Sequence, residues 1–182
     1  MTLIVETGAG LVDSDAFVSL VDFKNRCDLL GWAYNTTDDD ENRRAIRRAT
    51  VHLSSAFNWQ GRATKSRSHA NPQALAWPRI GVVDKDGDPV PDNVLPTEVA
   101  NATVILAVKE LVTPGAFSAE WTASDVLVSE SYGEVEFQYD VSQTAPGQAV
   151  LILTDVLNEI GQFLKVGSIH GSVPVQGWGA RA

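Results

Sequence analysis

Between the two strongest helical patterns of this chain lies a stretch of about 37 residues, Trp59 to Leu95, that fits neither a linker nor a helix. Its centre, "QALAWPRIGVVDKDGDPVP" from Gln73 to Pro91, carries a tryptophan and a run of aliphatic residues, yet three prolines interrupt it. Structureless loops above ~15 residues are uncommon in compact domains unless something holds them. The chain must therefore build a core that pins this loop. The candidate anchors are Trp59, Gln73, Leu75, Trp77 and Pro78, with Pro72, Pro78 and Pro91 lowering the entropy cost of fixing it. Whether Trp77 fills the core of one molecule or an interface between two is open at this stage.

The flanking patterns are helical. Ser14 or Asp13 is suited to cap a first helix over "DAFVSLVDFKNRCDLLGW", with Phe17, Leu20, Val21, less regularly Phe23, Leu29 and Leu30 near helical spacing and Gly31 ending it. Thr37 or Asp38 caps a second, whose four consecutive acids favour a helix N-terminus and whose Ala45, Ala49, His52, Leu53, Ala56 and Phe57 form a stripe. A third opens at Pro96, runs through Leu111 and stops at Pro114-Gly115. The period then changes to two: Val126, Val128, Val135, Phe137 and Tyr139 alternate around Tyr132-Gly133, predicting a β-hairpin near 125–140. A fourth helix is expected from Val150 through Leu164. The fold class is mainly α: a compact helical domain of about four helices, 1–167, with a β-hairpin, a long pinned loop and an extended C-terminal tail, 168–182. Val173, Val175 and Trp178 make that tail a docking arm in expectation, since an extended apolar strip can lie in a partner's groove.

Charge is distributed unevenly. Between Arg43 and Arg79 stand eight Lys or Arg (Arg43, Arg44, Arg47, Arg48, Arg62, Lys65, Arg67, Arg79) and no acid, whereas the rest of the chain holds 23 acids and 14 − 8 = 6 bases, or −17. A positive patch and a negative patch on one molecule suit a head-to-tail contact between copies. Arg43, Arg44, Arg47, Arg48, Arg62 and Arg79 are accordingly the candidate subunit or portal interface. The competing use of the same stretch is phosphate binding by its arginines with Trp59 or Trp77 stacked on bases, which a −17 remainder opposes over most of the surface.

Little suggests catalysis or metal binding, and neither a catalytic residue nor a metal ligand nor a cofactor is expected. Asp84, Asp86 and Asp88 are spaced like calcium ligands, but the glycine falls between the second and third acids and no closing Glu follows; a solvated turn is the simpler reading. His52, His69 and His170 lack metal-ligand spacing, and no phosphate-cradling glycine pattern or nucleophile elbow is present. Cys27 is the single cysteine, expected as a small buried residue on a helix. No apolar run approaches the ~20 residues of a bilayer span, so no membrane partner is expected.

Trp59, Gly61, Arg62, Gln73, Leu75, Trp77, Pro78, Arg79, Asp86, Gly87 and Pro96 together carry a pattern: a helix ending in Trp-x-Gly-Arg, then Gln-x-Leu-x-Trp-Pro-Arg, an Asp-Gly turn, and a proline opening the next helix. This pattern resembles that of head-tail connector (adaptor) proteins of tailed bacteriophages and prophages, a family also catalogued as single-stranded-DNA-binding proteins related to the primosomal protein DnaT. The spacer "ATKSRSHANP" between Arg62 and Gln73 is longer than the pattern's. The resemblance implies a virion neck protein made in the host cytoplasm, forming a ring, typically a dodecamer. Its partners would be the portal, a stopper or tail-completion protein, and double-stranded DNA passing through without sequence-specific binding. The alternative it implies is a single-stranded-DNA-binding replication protein acting through Arg43 to Arg79 and Trp59 or Trp77.

Overall fold

The computed structural model describes residues 2–115, 129–132, 135–138 and 154–165. Four helices are seen among them: α1 (Leu20–Leu30), α2 (Asp39–Ala56), α3 (Thr97–Val112) and α4 (Thr154–Ile160), the last continued by a 3-10 turn over Gly161–Phe163. Strands β1 (Arg62–Ala63) and β2 (Arg79–Ile80) pair antiparallel, as do β3 (Ser129–Tyr132) and β4 (Val135–Gln138), with Tyr132 opposite Val135. The mainly helical class with a β-hairpin and a long pinned loop is therefore the observed one. The tail residues Val173, Val175 and Trp178, and positions 150–153 of the expected fourth helix, lie outside the described residues.

Packing centres on α2 against α3, and α4 also packs on α3. α2 buries Asn42, Ala45, Ile46, Ala49, Thr50 and Leu53, and α3 buries Val99, Ala102, Thr103, Val104, Leu106 and Ala107. Ile46 and Thr50 thus join the expected stripe, while Ala56 is exposed. Asp38 caps α2 as expected, accepting from the Asp40 and Glu41 amides at 2.8 and 3.2 Å. Asn42 reaches back from inside the helix: its amide donates to Asn35 O at 2.6 Å and accepts from Asn35 N at 3.1 Å. That contact locks the chain's entry into α2.

α1 starts later than the sequence suggests. Ser19 is its N-cap, accepting from Asp22 N at 3.0 Å, and Gly31 ends it in the left-handed region at φ 67°. The five residues before Ser19 are held instead by the N-terminal segment, where Val5 pairs with Ala16 and Ile4 O accepts from Asp15 N at 2.9 Å. Glu6 is the reason. Its carboxylate is buried at 1% exposure and accepts from the amides of Gly8, Gly10 and Leu11 and from the Ser14 hydroxyl. Ser14 is therefore spent on Glu6 and caps nothing. Cys27 is fully buried on α1, and burial together with the neighbouring Asp28 charge pushes its thiol pKa up to about 11.

The long loop is held by aromatic contacts. Trp59 meets Trp77 edge-on at 5.6 Å between ring centroids, and Trp77 meets Phe163 at 5.5 Å. Trp77 is 0% exposed and Trp59 3%, which answers the question left open above: Trp77 belongs to the core of the single molecule. Truncation to Ala at a buried tryptophan removes about 3–5 kcal/mol. Trp77→Ala should lower the free energy of unfolding by about that amount, read from the midpoint of a urea titration followed by far-UV circular dichroism.

Candidate functional site

The residues of the recognisable pattern converge on one knot in the loop. Backbone pairing between Gln60 N and Phe163 O at 2.8 Å, and between Lys165 N and Asn58 O at 3.0 Å, joins the end of α2 to the 3-10 turn after α4. Gly61 turns the chain at φ 60°, where a Cβ would lie 2.1 Å from Ile80 O, so only glycine lets β1 and β2 meet there. Gln73 then works with both ends of its amide: Oε1 accepts from Lys65 N at 2.9 Å, and Nε2 donates to Leu75 O at 2.8 Å and Pro78 O at 3.0 Å. The peptide bond between Trp77 and Pro78 is cis. Leu75 packs partly buried against the core.

Arg79 closes the knot. Its Nε donates to Gln60 O at 2.6 Å, one terminal nitrogen to Ala76 O at 3.0 Å and the other to Gly61 O at 3.1 Å. Placed by sequence among the interface arginines, Arg79 instead gathers three carbonyls of its own chain, and partial burial lowers its pKa. The planar fork of a guanidinium suits that triple contact, and an ammonium cannot reproduce it. Asp84 organises the next turn in the same manner, with Oδ1 accepting from the amides of Asp86 and Asp88, both at 2.9 Å. The alternating acids are thus a backbone turn, and no group of three or more potential metal ligands occurs among the described residues.

The basic stretch on α2 finds its acids within the same chain. Arg43 pairs with Asp40 at 2.8 Å, Arg44 with Asp38 at 3.4 Å, Arg47 with Asp15 at 2.5 Å, and Arg48 with Glu110 at 2.8 Å. Each of these four guanidiniums therefore already has an intramolecular partner. Arg44 and Arg48 still present more than half of their side chains to solvent. Glu110 lies buried beneath Arg48; one carboxylate oxygen takes the Gly115 amide at 3.0 Å as well, and the other meets no partner. Arg62 and Arg67 are exposed and form no ion pair among the described residues.

Sequence reasoning missed several polar residues that hold the site together, namely Glu6, Asn35, Asn42 and Glu110. It also missed a cleft of about 170 Å³ lined by Trp32, Ile105, Val108, Lys109 and Asp155 between the end of α1, α3 and α4. Only the i to i+3 pairing of Asp40 with Arg43 carried a local signal. The contacts of Glu6, Asn35 and Asn42 are also short-range but follow no regular helical spacing, whereas Arg47–Asp15 and Arg48–Glu110 join residues 32 and 62 positions apart.

His52 sits half-buried on α2, edge-on to Phe57 at 6.2 Å. Burial lowers its pKa below the ordinary 6.5, against the opposing pull of the Glu110 charge. The folded state therefore binds the His52 proton less readily than the unfolded chain does. This contribution to stability is present above 6.5 and is lost as pH falls through the folded value. Urea midpoints measured across that range should fall for the parent protein and fall less for His52→Gln. Independently, Arg79→Lys should destabilise the fold by about 1–3 kcal/mol because carbonyls of the knot are left unsatisfied, measured by the same denaturation.

No helix among the described residues is long and apolar enough to cross a membrane. No curated protein and no solved structure matches the chain. A family model, described as "Putative DnaT-like ssDNA binding protein", matches residues 1–174, and the chain belongs to that family.

Proposed function

We propose that this chain is a non-catalytic structural adaptor, a ring subunit at the neck of a tailed-phage particle that joins the portal to a stopper or tail-completion protein while double-stranded DNA passes through. The observation that carries this reading is the burial of both pattern tryptophans, Trp59 at 3% and Trp77 at 0% exposure. A protein that grips single strands presents aromatic faces to bases. Here the two aromatics are consumed in the loop knot, and the α2 arginines are matched by acids of the same chain. A chain of net charge −9 repels a polyanion on balance, which suits passage of DNA without sticking.

The second reading is single-stranded-DNA binding, and the family description favours it. Arg62 and Arg67, exposed on the "RATKSRSH" loop without an ion-pair partner among the described residues, give it a different footing from the tryptophans. Phosphate contacts by such residues would make affinity fall steeply with salt, by roughly 0.7 in log K per phosphate for each log unit of salt.

Titration of a fluorescently labelled oligothymidylate separates the two. The adaptor reading expects no saturable binding at physiological salt. Tight binding with a steep salt slope, lost in R62E/R67E, would replace it with the second reading. Cryo-electron microscopy of particles carrying this chain should then place it in a ring against the portal.

A further inference from the structure

The outward faces of α1 and α2 each carry an exposed stripe with an apolar centre, flanked by carboxylates on α1 and headed by guanidiniums on α2. On α2, Arg44, Arg48, Val51 and Ser55 fall at i, i+4, i+7 and i+11, all exposed along one line of the helix. Val51 is 61% exposed at its centre. On α1, Val21, Asn25 and Leu29 fall at i, i+4 and i+8, with Val21 65% and Leu29 76% exposed, and Asp22 and Asp28 border the stripe. Neither face is covered by another element among the described residues.

The polar groups on each face retain bonding capacity. A guanidinium carries five N–H donors; Arg44 directs one toward Asp38 and Arg48 one toward Glu110. A carboxylate offers about four acceptor positions. Asp22 takes the Ser19 hydroxyl and Asp28 the Tyr34 hydroxyl, which leaves both able to accept an arginine. Spare donors around one apolar centre thus face spare acceptors around another.

We infer that the α2 stripe of one molecule docks antiparallel on the α1 stripe of a second copy, Val51 over Asn25 between Val21 and Leu29, with Arg48 beside Asp28 and Arg44 beyond it at the C-terminal end of α1. Two helices can interlock in this way when side-chain ridges of one enter grooves of the other. Because the two stripes are different surfaces of the same chain, the contact is heterologous and repeats head to tail. The inference deepens the ring-forming reading proposed above and rests on it for the closure of the chain of contacts into a ring. A nucleic-acid strand is a poorer occupant of the α2 stripe, since the stripe presents no aromatic side chain and has Asp38 at its edge.

Covalent trapping tests the contact on the isolated protein and captures transient encounters. Val51→Cys and Asn25→Cys are made separately, and native Cys27 is replaced by Ala in both. Mixed and mildly oxidised, the two variants should give a disulfide-linked dimer that neither gives alone, and the doubly substituted V51C/N25C chain should give a ladder. Adding Arg44→Glu to the V51C partner should reduce the yield by roughly tenfold at low ionic strength, with a smaller effect at high salt. No product in the mixture beyond that of the single variants overturns the docking, as does V51C coupling to itself, the mark of a symmetric contact. Protection of the introduced thiol by an added oligonucleotide, in place of cross-linking, overturns it in favour of nucleic acid. The two proposals fail separately. A chain missing from particle necks removes the adaptor reading and leaves a trapped dimer standing, whereas a neck ring whose subunits meet through other faces removes only this docking.

Discussion

The contact on which the rest of the structure depends is Trp77 wedged between Trp59 and Phe163. Closing a long loop costs little more than closing a short one, because the closure term grows only with the logarithm of length. Ordering its residues is the larger cost, of about 1–2 kcal/mol each for the backbone. A single buried indole cannot offset that for 37 residues. What it does is fix one point, from which local bonds fix the others: Gln73 spans Lys65, Leu75 and Pro78, Arg79 gathers Gln60, Ala76 and Gly61, and Asp84 shapes the next turn. Phe163 lies a hundred residues beyond Trp59, so the same contact also fastens the end of α4 to the end of α2.

Charge shows how a linear window can mislead. The stretch from Arg43 to Arg79 contains no acid, yet its helical arginines are matched in space. Asp38 and Asp40 stand just outside the window because a helix N-terminus attracts acids, and the helical rise brings them beside the arginines of the following turn. Asp15 and Glu110 arrive from other parts of the chain. The −17 and +8 of the two segments are real as sums, but much of the difference is neutralised within a few ångströms. What remains outward is donor geometry on exposed guanidiniums, a weaker and more directional quantity than net charge.

The elements most legible in the sequence were α2 and α3, where capping residues, apolar spacing and stop signals agree. The start of α1 was less so: Ser14 has the chemistry of a cap, and the competing demand of Glu6 becomes visible only once Ile4 and Asp15 are side by side. Val21 and Leu29 fit a helical stripe by spacing yet face outward, because Phe23 and Cys27 define the buried arc. The loop residues that matter were identifiable from their unusual pattern. Their roles were not, since the burial of Trp77 depends on Phe163, and the triple contact of Arg79 depends on where Gln60 and Gly61 turn.

The placement of the pattern residues bears on how the family description relates to function. Trp59, Gly61, Gln73, Trp77, Pro78 and Arg79 act on their own chain, holding a loop against a helical core. A motif of that kind identifies a fold, and folds host unrelated functions. Two proteins can share the knot while presenting different outer helix faces, one to nucleic acid and another to protein subunits. What such a chain binds is therefore set by its exposed faces. In this chain the stripes on α1 and α2 offer apolar centres bordered by carboxylates and guanidiniums, while Arg62 and Arg67 are exposed elsewhere, on the loop after α2.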